Sequence, residues 1–215
     1  MMKYYVENNI AYAIFNNGKT NAITYDTLKI LRNVIDDVSQ NNEIKGLILT
    51  GEGKTFSSGF HPPLFLHLET FEQVVEFFLS VEHLFLDLFS LSKPVIAAMN
   101  GSAVAGGLLL ALTADYRLVI DHPKIKIGMT EIRLGLGLTL AQTEIIYFTL
   151  GNFLNFRNLL YFGELNDIIW SKDHNIVDEI ISEDKLIGRA REIIFNWVDN
   201  PNPGKGYKML NDTLK

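Results

Sequence analysis

Three short stretches carry residue types that can do chemistry: FSSGF at 56–60, AVAGGLLLAL at 103–112 and GMTEIRLG at 128–135. Gly106 and Gly107 stand at the mouth of an apolar helix, where a glycine pair costs backbone entropy unless its bare surface is used. Either another backbone packs closely there, or a ligand reaches the amides at the helix start. FSSGF taken alone reads as a tight surface turn. Taken together, both stretches lie just after predicted strands, so both can present backbone N–H groups at one sheet edge. Two converging amides form an oxyanion hole, and a helix start adds the positive end of its dipole. The acid or base is then sought nearby, and Glu131 sits among glycines and apolar residues after another predicted strand. Its spacing alone favours an exposed loop glutamate; the competing reading is a partly desolvated carboxylate of raised pKa suited to proton transfer near neutral pH.

Other candidates are weaker. His61 follows Phe60 directly and is a possible auxiliary group, although a packed or solvent-facing histidine explains it as well. The other histidines, His67, His83, His122 and His174, show no metal-ligand spacing and read as structural, so no metal is expected. GEGKT at 51–55 suggests a phosphate loop, but that motif needs a glycine at position 48, which is Ile48. It reads as a turn after a strand.

Composition narrows the class further. The 215 residues contain no cysteine, which excludes disulfides, thiol catalysis and thiolate metal sites. A net charge of −6 with no Lys/Arg stripe argues against nucleic acid as a partner. The N-terminus MMKYYVENN lacks a signal pattern and no apolar run is long enough to span a membrane, so the expected location is cytoplasmic.

The elements that must position these residues alternate. Strands are expected at 3–7 and 10–15 around Asn8-Asn9, then at 46–50, 95–99, 115–120, 124–128 and about 176–180. Helices are expected at about 25–39, from Thr70 to about 90 behind a Thr70/Gln73 capping box, and at about 139–149, 152–161, 164–170 and 183–198. Asn200–Gly206 reads as a loop. Strands alternating with helices imply one α/β domain over 1–215, with an α/β core to about 180 and a helical C-terminal part after it. FFLSVEHLFLDLF at 77–89 is apolar almost all round, as in a core helix, a subunit contact or the wall of an acyl pocket.

Read along the chain, LILTGEGKTFSSGF, KPVIAAMNGSAVAGG, ADYRLVI and GMTEIRLG resemble the crotonase (enoyl-CoA hydratase/isomerase) superfamily. The resemblance implies a spiral of ββα units, assembled as homotrimers or hexamers, with a shortened C-terminal helical region over about 181–215. It implies that the N–H groups of Phe60 and Gly106 hold the thioester carbonyl of an acyl-CoA as it becomes an enolate. It places CoA beside Ser57 and Ser58, with Lys19 in the early segment that contributes to CoA binding, although the usual Arg-Pro pattern is missing there. CoA enters as part of the substrate, with no separate cofactor; an acyl-carrier thioester would present the same pantetheine.

Family hydratases use two glutamates, and the first of these positions is Leu109 here while the second is Glu131. The pattern AGGLLLALTADYRL…IGMTEIRLG is similar to the Δ3,Δ2-enoyl-CoA isomerases, which implies one carboxylate shifting a double bond, in fatty-acid metabolism. A decarboxylase or hydrolase of acyl thioesters, or a non-catalytic acyl-CoA-binding subunit, is the alternative.

Overall fold

The computed structural model of the protein describes residues 2–198 and residue 213. Strands β1 (Met2–Glu7) and β2 (Ile10–Phe15) form an antiparallel hairpin. Its two-residue turn, Asn8-Asn9, has positive φ at both positions (50° and 62°), the geometry that matches strand twist and that asparagine tolerates. Helix α1 (Tyr25–Gln40) follows, capped by Thr24 and burying Leu31, Val34, Ile35 and Val38.

From there the chain repeats two strands and a helix. The turns of this spiral are β3 (Gly46–Gly51), β4 (Thr55–Ser57) and α2 (Phe71–Phe89); β5 (Val95–Met99), β6 (Ser102–Val104) and α3 (Gly106–Leu112); and β7 (Tyr116–Ile120), β8 (Ile127–Gly128) and α4 (Leu140–Leu150). After them come α5 (Phe153–Phe162), α6 (Ile168–Asp173), β9 (Glu179–Ile181) and α7 (Leu186–Val198). The first strand of each turn joins a six-stranded sheet of order β1-β2-β3-β5-β7-β9, parallel except for the opening hairpin. The second strands build a separate parallel sheet of order β4-β6-β8. This is the α/β crotonase-like spiral that the motifs imply.

Burial explains the two kinds of strand. Residues 47–50 and all of β5 are buried, as befits parallel strands covered on both faces. β4 and β6 are three residues each, too short to show a period, and the sequence reading passed over both. Other boundaries move for local reasons. The expected strand 124–128 shrinks to β8 because Ile125 N–H turns back to the His122 carbonyl. The expected helix 164–170 starts later, where the Asp167 side chain caps Trp170 N–H, since Asn166 is bridged to Ile127. A 3-10 turn at Glu183–Lys185 precedes α7, and the strand near 176–180 is β9. The expected loop Asn200–Gly206 and the end of the C-terminal part lie outside the described residues.

Helix α2 divides its apolar residues. Phe77, Val81, Leu84, Phe85 and Leu88 are buried, while Phe71, Val75, Phe78, Leu79 and Leu86 are exposed. Its Thr70/Gln73 capping box forms as the sequence suggests. Among the described residues no helix is long and apolar enough to cross a membrane.

One buried ion pair closes the large sheet. Arg117, on β7 and 6% exposed, contacts the Asp178 carboxylate at 2.7 Å and donates to the Ile176 and Ala114 carbonyls at 3.0 Å each. Asp178 also accepts Arg117 N–H at 2.8 Å, so β7 is fastened to the segment that leads into β9. Breaking a buried pair leaves its partner charge uncompensated. Arg117→Met is therefore expected to cost about 3–5 kcal/mol in urea unfolding, and a loss below about 1 kcal/mol would contradict this account of the sheet edge.

Candidate active site

The three strands of the small sheet run parallel, so their C-terminal ends line up at one edge. Each is followed at once by a stretch that carries chemistry: β4 by Ser58-Gly59-Phe60, β6 by Ala105-Gly106, and β8 by Met129-Thr130-Glu131. Topology alone thus joins residues that lie far apart in sequence.

The first loop is held by pairing to the early chain. Phe60 forms a parallel bridge with Ile23, in which Ile23 N–H meets the Gly59 carbonyl (2.8 Å) and His61 N–H meets the Ile23 carbonyl (2.9 Å). In such a bridge the flanking groups face the partner, and the N–H of Phe60 points the other way. Below it, Ser57 Oγ donates to the Asn21 carbonyl (2.9 Å) and accepts Gly59 N–H (3.2 Å). Asn21 is fully buried, and its Nδ2 donates to the Glu52 and Thr55 carbonyls at 3.0 and 2.6 Å.

The glycine pair has one use for each member. A Cβ on Gly107 would stand 2.3 Å from the Ser57 carbonyl oxygen, so α3 and β4 touch through backbone. A Cβ on Gly106 would meet the Phe60 ring at 2.9 Å, and one on Gly59, whose φ is +85°, would stand 2.9 Å from Gly106 N. Ala105, which precedes the helix, has φ 52° and ψ −132°, a conformation costing an L-residue on the order of 1–3 kcal/mol. Among the described residues, neither Phe60 N–H nor Gly106 N–H has an acceptor. Two unengaged donors therefore stand side by side at a helix start.

A cavity of about 330 Å³ opens beside them, lined by Phe60, Gly106, Leu109, Glu131 and Gln142 among others. Phe60, Phe65 and Phe78 form an aromatic wall, with centroids 6.1 Å apart for the first pair and 6.3 Å for the second. Glu131 opens a 3-10 turn (Glu131–Leu134), and its Oε2 is buried without a hydrogen-bond partner. Burial raises its pKa above the ordinary 4.5, opposed by the backbone N–H groups of Glu131 and Thr130. Leu109, 2% exposed, presents only hydrocarbon to the same space. A second cavity of about 440 Å³ lies beyond Glu131 and Leu136–Leu138, toward α5.

The remaining expected residues line neither cavity. Ser58 is exposed, and its N–H donates to the Thr20 carbonyl (3.0 Å), which brings exposed Lys19 to the same edge. Ser57 is wholly buried and its hydroxyl is spent on the loop. His61 is exposed, heads the 3-10 turn Pro62–His67 and lines neither cavity; the structure does not bring it to Glu131. Asn21 and Gln142 escaped the sequence reading. Gln142 carries a readable sign, a Thr139-x-x-Gln142 capping box, but nothing in the sequence says which space it faces.

With this geometry in view, relatives place the chain. The sequence matches the Enoyl-CoA hydratase/isomerase family over residues 5–215, and the protein belongs to that family. It is 27% identical over 193 residues to enoyl-CoA delta isomerase 1, mitochondrial, of Mus musculus, covering 90% of this chain and 66% of the mouse protein. It is 28% identical over 196 residues to a short-chain-enoyl-CoA hydratase of Clostridium acetobutylicum, covering 90% of this chain and 74% of that protein. Among solved structures, human mitochondrial delta3-delta2-enoyl-CoA isomerase superposes with a TM-score of 0.90 at 23% identity, over 100% of this chain and 83% of the human one. Family and fold are thereby shown, and isomerases and hydratases both stand among the relatives.

The environment of Glu131 has a measurable consequence. A carboxylate whose folded pKa is raised stabilises the fold while protonated and loses that contribution as pH rises through the raised value. Glu131→Gln should match the wild type in stability below pH 4.5 and exceed it at pH 7, as read by urea unfolding at both. A variant less stable than wild type at pH 7 would mean that the carboxylate is satisfied and ionised at no cost.

Proposed function

We propose that this chain moves the double bond of a 3-enoyl thioester into conjugation, giving the 2-enoyl thioester. The observation that carries the reading is one carboxylate, Glu131, with an unpartnered buried oxygen, lining the same cavity as Phe60 and Gly106, whose N–H groups are unengaged. Glu131 takes the proton from C2, and the electron pair delocalises through the thioester carbonyl as a dienolate. The two N–H groups stabilise the oxyanion, each donor contributing on the order of 10²–10³ in rate. The protonated Glu131 then returns its proton at C4. A raised pKa fits both halves, since the same group must accept and then give the proton.

Leu109 separates this reading from hydration. Adding water across the double bond as the two-glutamate hydratases do needs a second carboxylate, and neither Leu109 nor the amide of Gln142 supplies one. The apolar wall of Phe60, Phe65 and Phe78 suits an acyl chain. The exposed edge at Ser58 and Lys19, with Ser57 behind it, is where we place the CoA or carrier arm.

The test mixes the protein with 3-cis- and 3-trans-hexenoyl-CoA and follows ultraviolet absorbance of the conjugated product. A rise is expected, reduced about 10²- to 10⁴-fold by Glu131→Ala. Absence of a rise while the ligand is shown to bind would overturn the isomerase reading. Turnover by another route that survives Glu131→Ala would point to decarboxylation of a carboxyacyl thioester.

A further inference from the structure

Two polar side chains line the 330 Å³ cavity, Glu131 and Gln142, and the second has no part in the proton transfer. Gln142 is 6% exposed and sits in the first turn of α4. Its amide orientation is determined by the capping box. Thr139 N–H donates at 3.1 Å to the side chain, and a backbone N–H can only meet the oxygen, so that atom is Oε1. The return bond runs from Gln142 N–H to Thr139 Oγ1 at 3.3 Å. Nε2, with its two N–H groups, is the end that remains, and among the described residues it meets no acceptor. It is also absent from the fully enclosed unpartnered atoms, of which Glu131 Oε2 is the one found among the described residues, so Nε2 faces open space. Gln142 is nearly buried and lines this cavity, the open space beside it that its free amide end can face.

A pure hydrocarbon chain filling the cavity would cover these donors with carbon. An unmet buried donor lowers affinity by roughly tenfold or more relative to a ligand that meets it. Nε2 is donor only, so it recognises an oxygen acceptor. Glu131 shares the cavity, which disfavours a carboxylate on the ligand by like-charge repulsion. We propose that Gln142 is a specificity-determining residue, and that the favoured acyl group carries a neutral oxygen acceptor, such as a ketone, along its chain. This rests on the reading of the cavity as an acyl-thioester site.

The experiment measures, by calorimetry, the affinities of hexanoyl-CoA, 4-oxohexanoyl-CoA and 5-oxohexanoyl-CoA for the wild type, Gln142→Glu and Gln142→Met. Glu keeps an acceptor for the capping box and replaces the amide N–H groups by a carboxyl that donates only while protonated; Met removes both the acceptor and the donor. In the wild type one oxo thioester is expected to bind at least about tenfold tighter than hexanoyl-CoA. Gln142→Met should lose that preference chiefly because hexanoyl-CoA, no longer covering an unmet donor, binds up to about tenfold tighter than to the wild type. Equal binding of all three by the wild type, or a preference that survives in Gln142→Met, would overturn the proposal and leave Gln142 as a helix cap. Failure of every thioester to bind would overturn the acyl-thioester reading itself, and this inference with it.

Discussion

The first turn of α3 lies against β4 with no room for a β-carbon, one at Gly107 falling 2.3 Å from the Ser57 carbonyl oxygen. That contact sets how far the helix start stands from the loop after β4, and so how Gly106 N–H stands relative to Phe60 N–H. Parallel pairing of β4, β6 and β8 then brings Glu131 to the same edge. Strain at Ala105 fits the same picture. A non-glycine residue at φ 52° persists only where its surroundings over-determine it, and here it turns the chain from β6 into α3 with Gly106 N–H left unengaged.

Electrostatics in the cavity follow from what is absent from its wall. Apolar side chains surround the donors and the carboxylate, so water competes weakly and a charge developing on a bound oxygen is felt strongly. The same apolar surroundings raise the pKa of Glu131. Burial that costs stability at neutral pH also raises the proton affinity of the group, which is the property the proposed isomerisation draws on. The second cavity, sharing Leu136–Leu138 with the first, continues the apolar space beyond the carboxylate.

Much of this was legible in the sequence because it rests on local signals. The long apolar runs of β3 and β5, the Asn8-Asn9 turn, the Thr70 cap and the glycine pair all announce themselves by residue type. The glycine pair posed a choice between close packing and a ligand-reached amide; both glycines are closely packed, and Gly106 N–H is also left without an acceptor among the described residues. The small sheet was not legible, since strands of two or three residues carry no periodicity and their pairing joins distant positions, Thr55 with Ser102 and Ala103 with Ile127. Glu131 looked more like a surface residue by spacing alone, because desolvation is a property of neighbours supplied by other turns of the spiral. His61, adjacent to Phe60 in sequence, read as a packed or solvent-facing histidine before an auxiliary group, and it is exposed and lines neither cavity.

Direct evidence for the paired N–H groups would come from the thioester carbonyl itself. Hexanoyl-CoA labelled with ¹³C at C1 can be bound to the protein and its carbonyl stretch isolated by isotope-difference infrared spectroscopy. Two donors aimed at the oxygen should polarise the bond and move the band to lower frequency than in water, in the wild type and in Glu131→Gln alike. A band at or above its aqueous position would show that Phe60 and Gly106 do not hold the carbonyl, and would contradict the account of this edge as an oxyanion hole.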